Sequence, residues 1–257
     1  MKLHLVIAMS ALCATEVSAQ TIPAPISTDR PDFTESSTLV PAGWGQLEAG
    51  ITLTATGRKS GDGTSLSWPE LLLRYGVTSR LELRVAQSLA TISPPTALGS
   101  PYTGLTDLYL GVKLGLGAQR GVRPELALMA QATVPIGDAR LSGLVVLPGM
   151  ALLAGWGLSP LWSLGAGIQV NQVPDNAYEI APSVTVGRSL SSRVKGYFEV
   201  YPFIPVAAGT NAEAAYFTNA GLSWLLTNNV QLDARFGVGL NAAADRSFVG
   251  IGFAIRR

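Results

Sequence analysis

Cysteine and histidine are nearly missing from this 257-residue sequence: one of each occurs, Cys13 and His4, both close to the amino terminus. Charge is scarce as well, at 14% of residues, and balances to +1. No excess of positive charge exists to hold a nucleic-acid backbone, so no nucleic-acid partner is expected. A third absence is that of long helix-compatible apolar runs. The chain is 47% hydrophobic, yet beyond its start it has no clean apolar helix of the about 20 residues that a bilayer crossing needs. Its 28 glycines and scattered Thr, Ser, Gln and Asn penalise helices but suit strands with one polar and one apolar face.

The start of the chain reads as a secretory signal over residues 1–19. Lys2 supplies the positive region, residues 3–14 the apolar core, and Val17-Ser18-Ala19 a small-residue cleavage site before Gln20. Two other readings compete. An uncleaved anchor helix would be short for a span, and a lipoprotein signal at Cys13 would have the bulky Leu12 where a small residue is preferred. Cleavage after Ala19 removes both His4 and Cys13. Disulfides, thiolate catalysis, Cys/His zinc sites and a Ser-His mechanism then disappear together. The expectation is a protein that is not an enzyme, with no catalytic residue, metal or cofactor.

From about Trp44 onward the chain alternates apolar with polar or small residues in segments separated by Gly, Pro, Asn, Asp and Ser. This is strand patterning with period two. It predicts strands over 44–56, 65–75, 81–89, 105–116, 123–134, 144–156, 161–172, 177–187, 194–203, 214–225, 230–240 and 246–256. The fold class that follows is all-β, an antiparallel up-and-down transmembrane barrel of about twelve strands occupying residues 44–257. Short links at 76–80, 158–160, 189–192 and 227–229 contrast with longer ones at 91–104 and 204–213, as periplasmic turns contrast with external loops.

Periodicity alone does not separate a membrane barrel from a soluble one; the content of the two faces does. One row carries Glu48, Glu70, Arg74, Glu82, Arg84, Asp107, Lys113, Glu125, Gln131, Gln169, Asn171, Glu179, Lys195, Glu199, Asp233 and Arg235, with Tyr109, Tyr197 and Tyr201 among them. The opposite row carries Leu47, Ile51, Leu53, Leu71, Leu73, Leu108, Leu110, Val112, Leu126, Leu128, Phe198, Val200, Leu232, Phe236, Val249, Ile251 and Phe253. Such a belt is costly in water and favourable in hydrocarbon, so the charged row is expected to line the lumen. Tyr75, Tyr216 and Trp224 fall on the apolar row near strand ends, at headgroup level. A helical inner-membrane protein would need residues 141–174, which are free of charge, to form helices; eight Gly and Pro residues between Gly143 and Gly167 oppose that.

Within the lumen, Glu70 with Arg74, Glu82 with Arg84 and Asp233 with Arg235 place opposite charges on one face of a strand. They would either select passing solutes or brace the wall. Glycines two apart, such as Gly165 and Gly167 or Gly250 and Gly252, would either curve the strands or leave room for water, solute or an inserted segment.

The segment Ser27-Thr28-Asp29-Arg30-Pro31-Asp32-Phe33-Thr34-Glu35-Ser36, followed by Val40-Pro41-Ala42-Gly43-Trp44-Gly45-Gln46-Leu47-Glu48, resembles the start of the outer-membrane barrels of the MetA-pathway of phenol degradation family. Residues 72–84, 104–108 and 229–233 are similar to later segments of that family. The resemblance implies an outer-membrane location in a Gram-negative bacterium, with the lipid bilayer and the assembly machinery as partners. It also implies passage of small solutes, aromatic or hydrophobic ones by the family's name, and no catalytic residues. Before the first strand, residues 20–43 form a polar segment whose core, Asp29, Arg30, Pro31 and Asp32, is dense enough in charge to contact the lumen wall or the periplasmic mouth; a disordered leader is the other reading. The expected function is an outer-membrane channel or importer of small solutes. A closed structural or surface-interaction barrel and a lipid-acting barrel enzyme are the alternatives.

Overall fold

The computed structural model describes residues 24–57, 62–95, 99–206 and 212–257; the expected signal peptide lies outside them. The strands are β1 Gly45–Ala55, β2 Thr64–Thr78, β3 Leu81–Gln87, β4 Leu89–Ser93, β5 Tyr102–Leu105, β6 Leu108–Gly117, β7 Glu125–Val134, β8 Leu147–Gly157, β9 Trp162–Val173, β10 Ala177–Ser189, β11 Val194–Val206, β12 Ala215–Thr227, β13 Val230–Gly239 and β14 Ser247–Arg256. Each pairs antiparallel with its neighbours, and β1 pairs with both β14 and β2, which closes the sheet. Closure pairs every strand on both sides except the short β5, which pairs with β4 alone, and so meets the condition for strands to cross hydrocarbon.

Two staves of the barrel are interrupted. β3 and β4 form one, broken at Ser88, and β5 and β6 another, broken at residues 106–107, so the closed barrel has twelve staves. The break has a local cause. The Thr106 N–H and hydroxyl both donate to the Ser88 carbonyl, and the hydroxyl accepts from the Ser88 N–H, so a side chain takes the place of one partner in the ladder. Periodicity stops the third strand at 89 and opens the fourth at 105; in the structure β4 runs to Ser93 and β5 begins at Tyr102, because a bulge preserves pairing where alternation is lost.

Period-two chemistry sets the faces. Along β13, Gln231 and Asp233 are buried while Leu232 and Phe236 are exposed. The predicted apolar row points outward throughout: Phe236 is 56% and Ile251 59% exposed, and Leu53, Leu73, Phe198 and Val249 are comparably open. Tyr75, Tyr216 and Trp224 are exposed on the same surface. Residues 141–174 contain β8 and β9 rather than helices, and no helix among the described residues is long and apolar enough to cross a membrane. An inverted barrel of this kind, apolar outside and polar inside, is stable only with lipid as its outer solvent.

Candidate functional site: the lumen and the segment threaded through it

Residues 24–43 contain no helix or strand longer than a single bridge at Ala42. They touch inward residues of β1, β2, β3 and β6 on one side and of β11 and β13 on the other. Only a segment inside the closed barrel can reach both sides. A chain without regular structure must find partners for its backbone groups outside itself, and here the wall provides them.

Four inward carboxylates meet the segment in sequence. Glu48 accepts the N–H of Asp29 and of Arg30, each at 3.0 Å. Glu199 accepts the N–H of Phe33 and, at 2.9 and 2.8 Å, the N–H and hydroxyl of Thr34. Glu125 accepts the hydroxyls of Ser37 and Thr38 at 2.9 and 2.7 Å, and Glu82 the N–H of Val40 at 2.8 Å. Cations take the carbonyls: Arg74 donates to Ser27 and Thr38, Lys113 to Ser36, and Arg235 to Pro31.

Asp29 is the hub. Its carboxylate lies 2.6 Å from Arg84 Nη1 and 3.3 Å from both Arg74 Nη1 and Lys113 Nζ, and it accepts the Ser36 N–H at 2.9 Å. Without the segment, the three wall cations face two wall carboxylates, Glu48 and Glu82, with which Arg74 and Arg84 pair at 2.8–3.0 Å. Asp29 supplies the third negative charge. Burial opposes its ionisation, but Arg74, Arg84 and Lys113 outweigh burial and hold the carboxyl far below its usual range.

Arg30 reaches the other way, to Glu70 at 2.7 Å, Asp233 at 3.4 Å and the Ile251 carbonyl at 3.2 Å. Its guanidinium occupies a slot made by Gly50 and Gly252, which face each other in the β1–β14 register. A Cβ at either position would collide with it. Of the two readings open for the glycine pairs, room for an inserted segment therefore holds at Gly252. The charge pairs are also regrouped. Glu82 with Arg84 forms within one strand, whereas Glu70 pairs with Arg30 and Arg74 with Glu48 and Glu82.

Further along, Phe33 stacks on Tyr201 at 4.2 Å between ring centroids, Tyr201 on Phe217 at 5.4 Å, and Phe203 meets all three edge-on. Aromatic pairs of this geometry contribute about 0.5–1.5 kcal/mol each beyond area burial. The other inward candidates have separate surroundings. Asp107 accepts the N–H groups of Gly137 and Gly143 and so ties down the 135–146 loop. Tyr109 donates to Gln131 at 3.0 Å and accepts from Arg84. Glu179 stands half-buried in β10. Lys195 and Tyr197 face a cavity. Phe33 and Glu35 carry contacts that residue-by-residue reading did not assign; their signal was membership of the same dense polar motif.

Asp32 and Glu35 behave unlike Asp29. Burial first, then the Glu199 carboxylate, hold the Asp32 carboxyl well above its usual range, and burial raises Glu35 despite its 3.1 Å pair with Arg84. A carboxyl raised in the docked state favours docking below its free pKa, and that contribution is lost as pH rises through the docked value. Asp29, being depressed, favours docking at all pH values above the usual carboxylate range. The segment is thus expected to loosen as pH rises, and Asp32→Asn to flatten the dependence. Protease clipping of residues 24–43 at a series of pH values above the usual carboxylate range measures this; clipping that decreases as pH rises there would contradict it.

The lumen is asymmetric. Charges gather on β1, β2, β3 and β6, whereas β8, β9, β10 and β12 present small residues inward, among them Gly155, Ser163, Gly165, Thr185, Gly187, Gly221 and Ser223. Between that small-residue wall and the threaded segment lies a cavity of about 460 Å³. A second, of about 960 Å³, lies between residues 37–42 and the facing residues of β6 and β7.

Among solved structures, an outer membrane channel from Pseudomonas putida F1 is similar, with TM-score 0.65 and 15% identity over 88% of this chain and 99% of that one. The KdgM porin (TM-score 0.57) and the NanC porin (0.55) are each 8% identical, over 82% of this chain and 98% of theirs. At these identities the likeness is one of fold. No curated protein sequence matches the chain. The model of the family described as "Putative MetA-pathway of phenol degradation" matches residues 28–256, and the chain belongs to that family.

Proposed function

We propose that the protein is an outer-membrane channel for small solutes, constricted by its own residues 24–43. The observation that carries this reading is a closed, lipid-facing barrel whose threaded segment is bound to the charged wall, with cavities beside it. The structural neighbours include an outer membrane channel and porins, which supports it. Export through a signal peptide cleaved after Ala19, and insertion by the assembly machinery, belong to the same reading. Solutes pass by diffusion, and the polar row with Glu125, Lys195 and Tyr197 lines their way. The cluster of Phe33, Tyr201, Phe203 and Phe217 favours solutes with a flat apolar part.

The density of bonds from segment to wall favours a second reading, a permanently closed barrel of structural role. Planar-bilayer recording of the mature protein and of a variant lacking residues 24–40 separates the two. Small conductance in the first and several-fold larger conductance in the second is the expected result. No current and no solute flux from either protein would reject the channel.

A further inference from the structure

The surface that faces lipid carries one charge. Among the described residues, the other charged side chains of the strands lie on the inward row, but Arg188, near the end of β10, shares the outward face with Val184 and Val186 and is exposed like them. It has neither an ion pair nor a hydrogen bond among the described residues, and no acid stands on that face. Its guanidinium lies over the ring of Trp162, 5.1 Å from the centroid. Trp162 is its cross-strand partner at the start of β9. The Ser159 hydroxyl oxygen accepts the N–H groups of Leu161 and Trp162 at 3.2 and 3.1 Å, which ties the ring's backbone to the preceding turn.

On its other side Arg188 is paired with Gly196 of β11, so both point outward. A Cβ at Gly196 would lie 3.4 Å from Leu222 Cδ2 and 3.5 Å from Leu190 Cδ1. With no side chain there, the Gly196 backbone floors a shallow apolar groove walled by these two exposed leucines. Cation, ring and groove thus occupy neighbouring positions on three adjacent strands.

Their depth in the membrane follows from the connections. At this end of the barrel the links are short, residues 158–161 and 190–193, whereas links at the other end include 135–146 and 207–214. Short turns mark the periplasmic side. A lipid-facing arginine is costly at the bilayer midplane and nearly free at the interface, and exposed Trp162 and Trp224 mark the headgroup level here. A guanidinium over an aromatic face keeps its N–H donors for a bidentate acceptor such as phosphate. With no carboxylate beside it, it favours a headgroup of net negative charge over a zwitterionic one, whose own cation opposes it.

We infer that Arg188, Trp162 and the Gly196 groove form a binding site for one anionic phospholipid of the periplasmic leaflet, with the headgroup phosphate on the guanidinium and an acyl chain along the groove. The site rests on the lipid-facing barrel and not on passage through its lumen.

The test is native mass spectrometry of the full mature barrel released from detergent micelles that contain phosphatidylglycerol and phosphatidylcholine in equal amounts. One phosphatidylglycerol is expected to be retained in preference to phosphatidylcholine. Arg188→Gln should reduce that preference about fivefold, the worth of one basic side chain against anionic lipid. Trp162→Leu, which keeps an apolar side chain but no ring, and Gly196→Leu, which fills the groove, should each reduce retention several-fold. Arg140→Gln should change nothing: its guanidinium lies over Tyr102 at the same 5.1 Å, but in the 135–146 loop at the opposite mouth. Resistance of each folded variant to unfolding in SDS reports its integrity. Equal retention of the two lipids, an undiminished preference in Arg188→Gln, or displacement of the lipid by glycerol phosphate, which would make this a site for free phosphate, would each overturn the inference.

Discussion

Asp29→Ala is expected to free residues 24–43 from the wall and to lower the stability of the folded barrel by about 3–5 kcal/mol, the usual cost of removing one partner from a buried ion cluster. The carboxylate is surrounded by Arg84, Arg74 and Lys113, and of these Lys113 has its nearest acidic oxygen on Asp29, with Glu35 at 3.9 Å. Removing Asp29 leaves three cations against two wall carboxylates in a region closed to water. Glu35, 3.1 Å from Arg84 and 3.9 Å from Lys113, offsets part of this, which places the effect nearer the lower figure. The Asp29 N–H would still bond to Glu48, so the loss belongs to the charge and to the Ser36 bond. Asp29→Asn, keeping an acceptor for Ser36 but no charge, should fall between. Denaturant midpoints in detergent, with protease sensitivity of the segment, measure both consequences; an unchanged midpoint together with an unclipped segment would disprove the account.

Gly252→Val should open the channel nearly as far as deleting the segment does. At position 252 in the β14 ladder the new Cβ would lie 2.7 Å from the Ala49 carbonyl oxygen, so the β1–β14 pairing must shift locally to admit the strand-forming valine. Its side chain fills the slot that holds the Arg30 guanidinium opposite Gly50. Overpacking of this kind costs about 1–3 kcal/mol, and the displaced Arg30 also loses Glu70 and Asp233. Because both effects act through one side chain, Arg30→Ala combined with Gly252→Val should be little worse than Gly252→Val alone, a non-additivity that residues sharing a contact display. Wild-type conductance in Gly252→Val would show that Arg30 does not hold the constriction.

Much of the barrel was legible because a strand states its two faces locally. Val230-Gln231-Leu232-Asp233 alternates by chemistry alone, and the structure turns Asp233 inward and Leu232 to the lipid. The stave count was legible for the same reason, since each reversal of direction carries its own turn residues. Less legible were the breaks at Ser88 and residues 106–107, where side-chain bonds replace alternation. Least legible was the pairing inside. Glu70 and Arg74 share a strand face, yet Glu70 meets an arginine 40 residues upstream and Arg74 is claimed by Glu48, Glu82 and Asp29.

The near absence of cysteine and histidine, and the apolar and polar rows of period two, were sufficient by themselves to specify a lipid-facing barrel with a charged interior. That is a property of neighbouring residues, fixed by the pleat. Which charges meet, and why Gly50 and Gly252 lie opposite each other, were decided only when closure brought β14 against β1 and residues 24–43 threaded the lumen. Those contacts join positions far apart in the chain, and no local period encodes them.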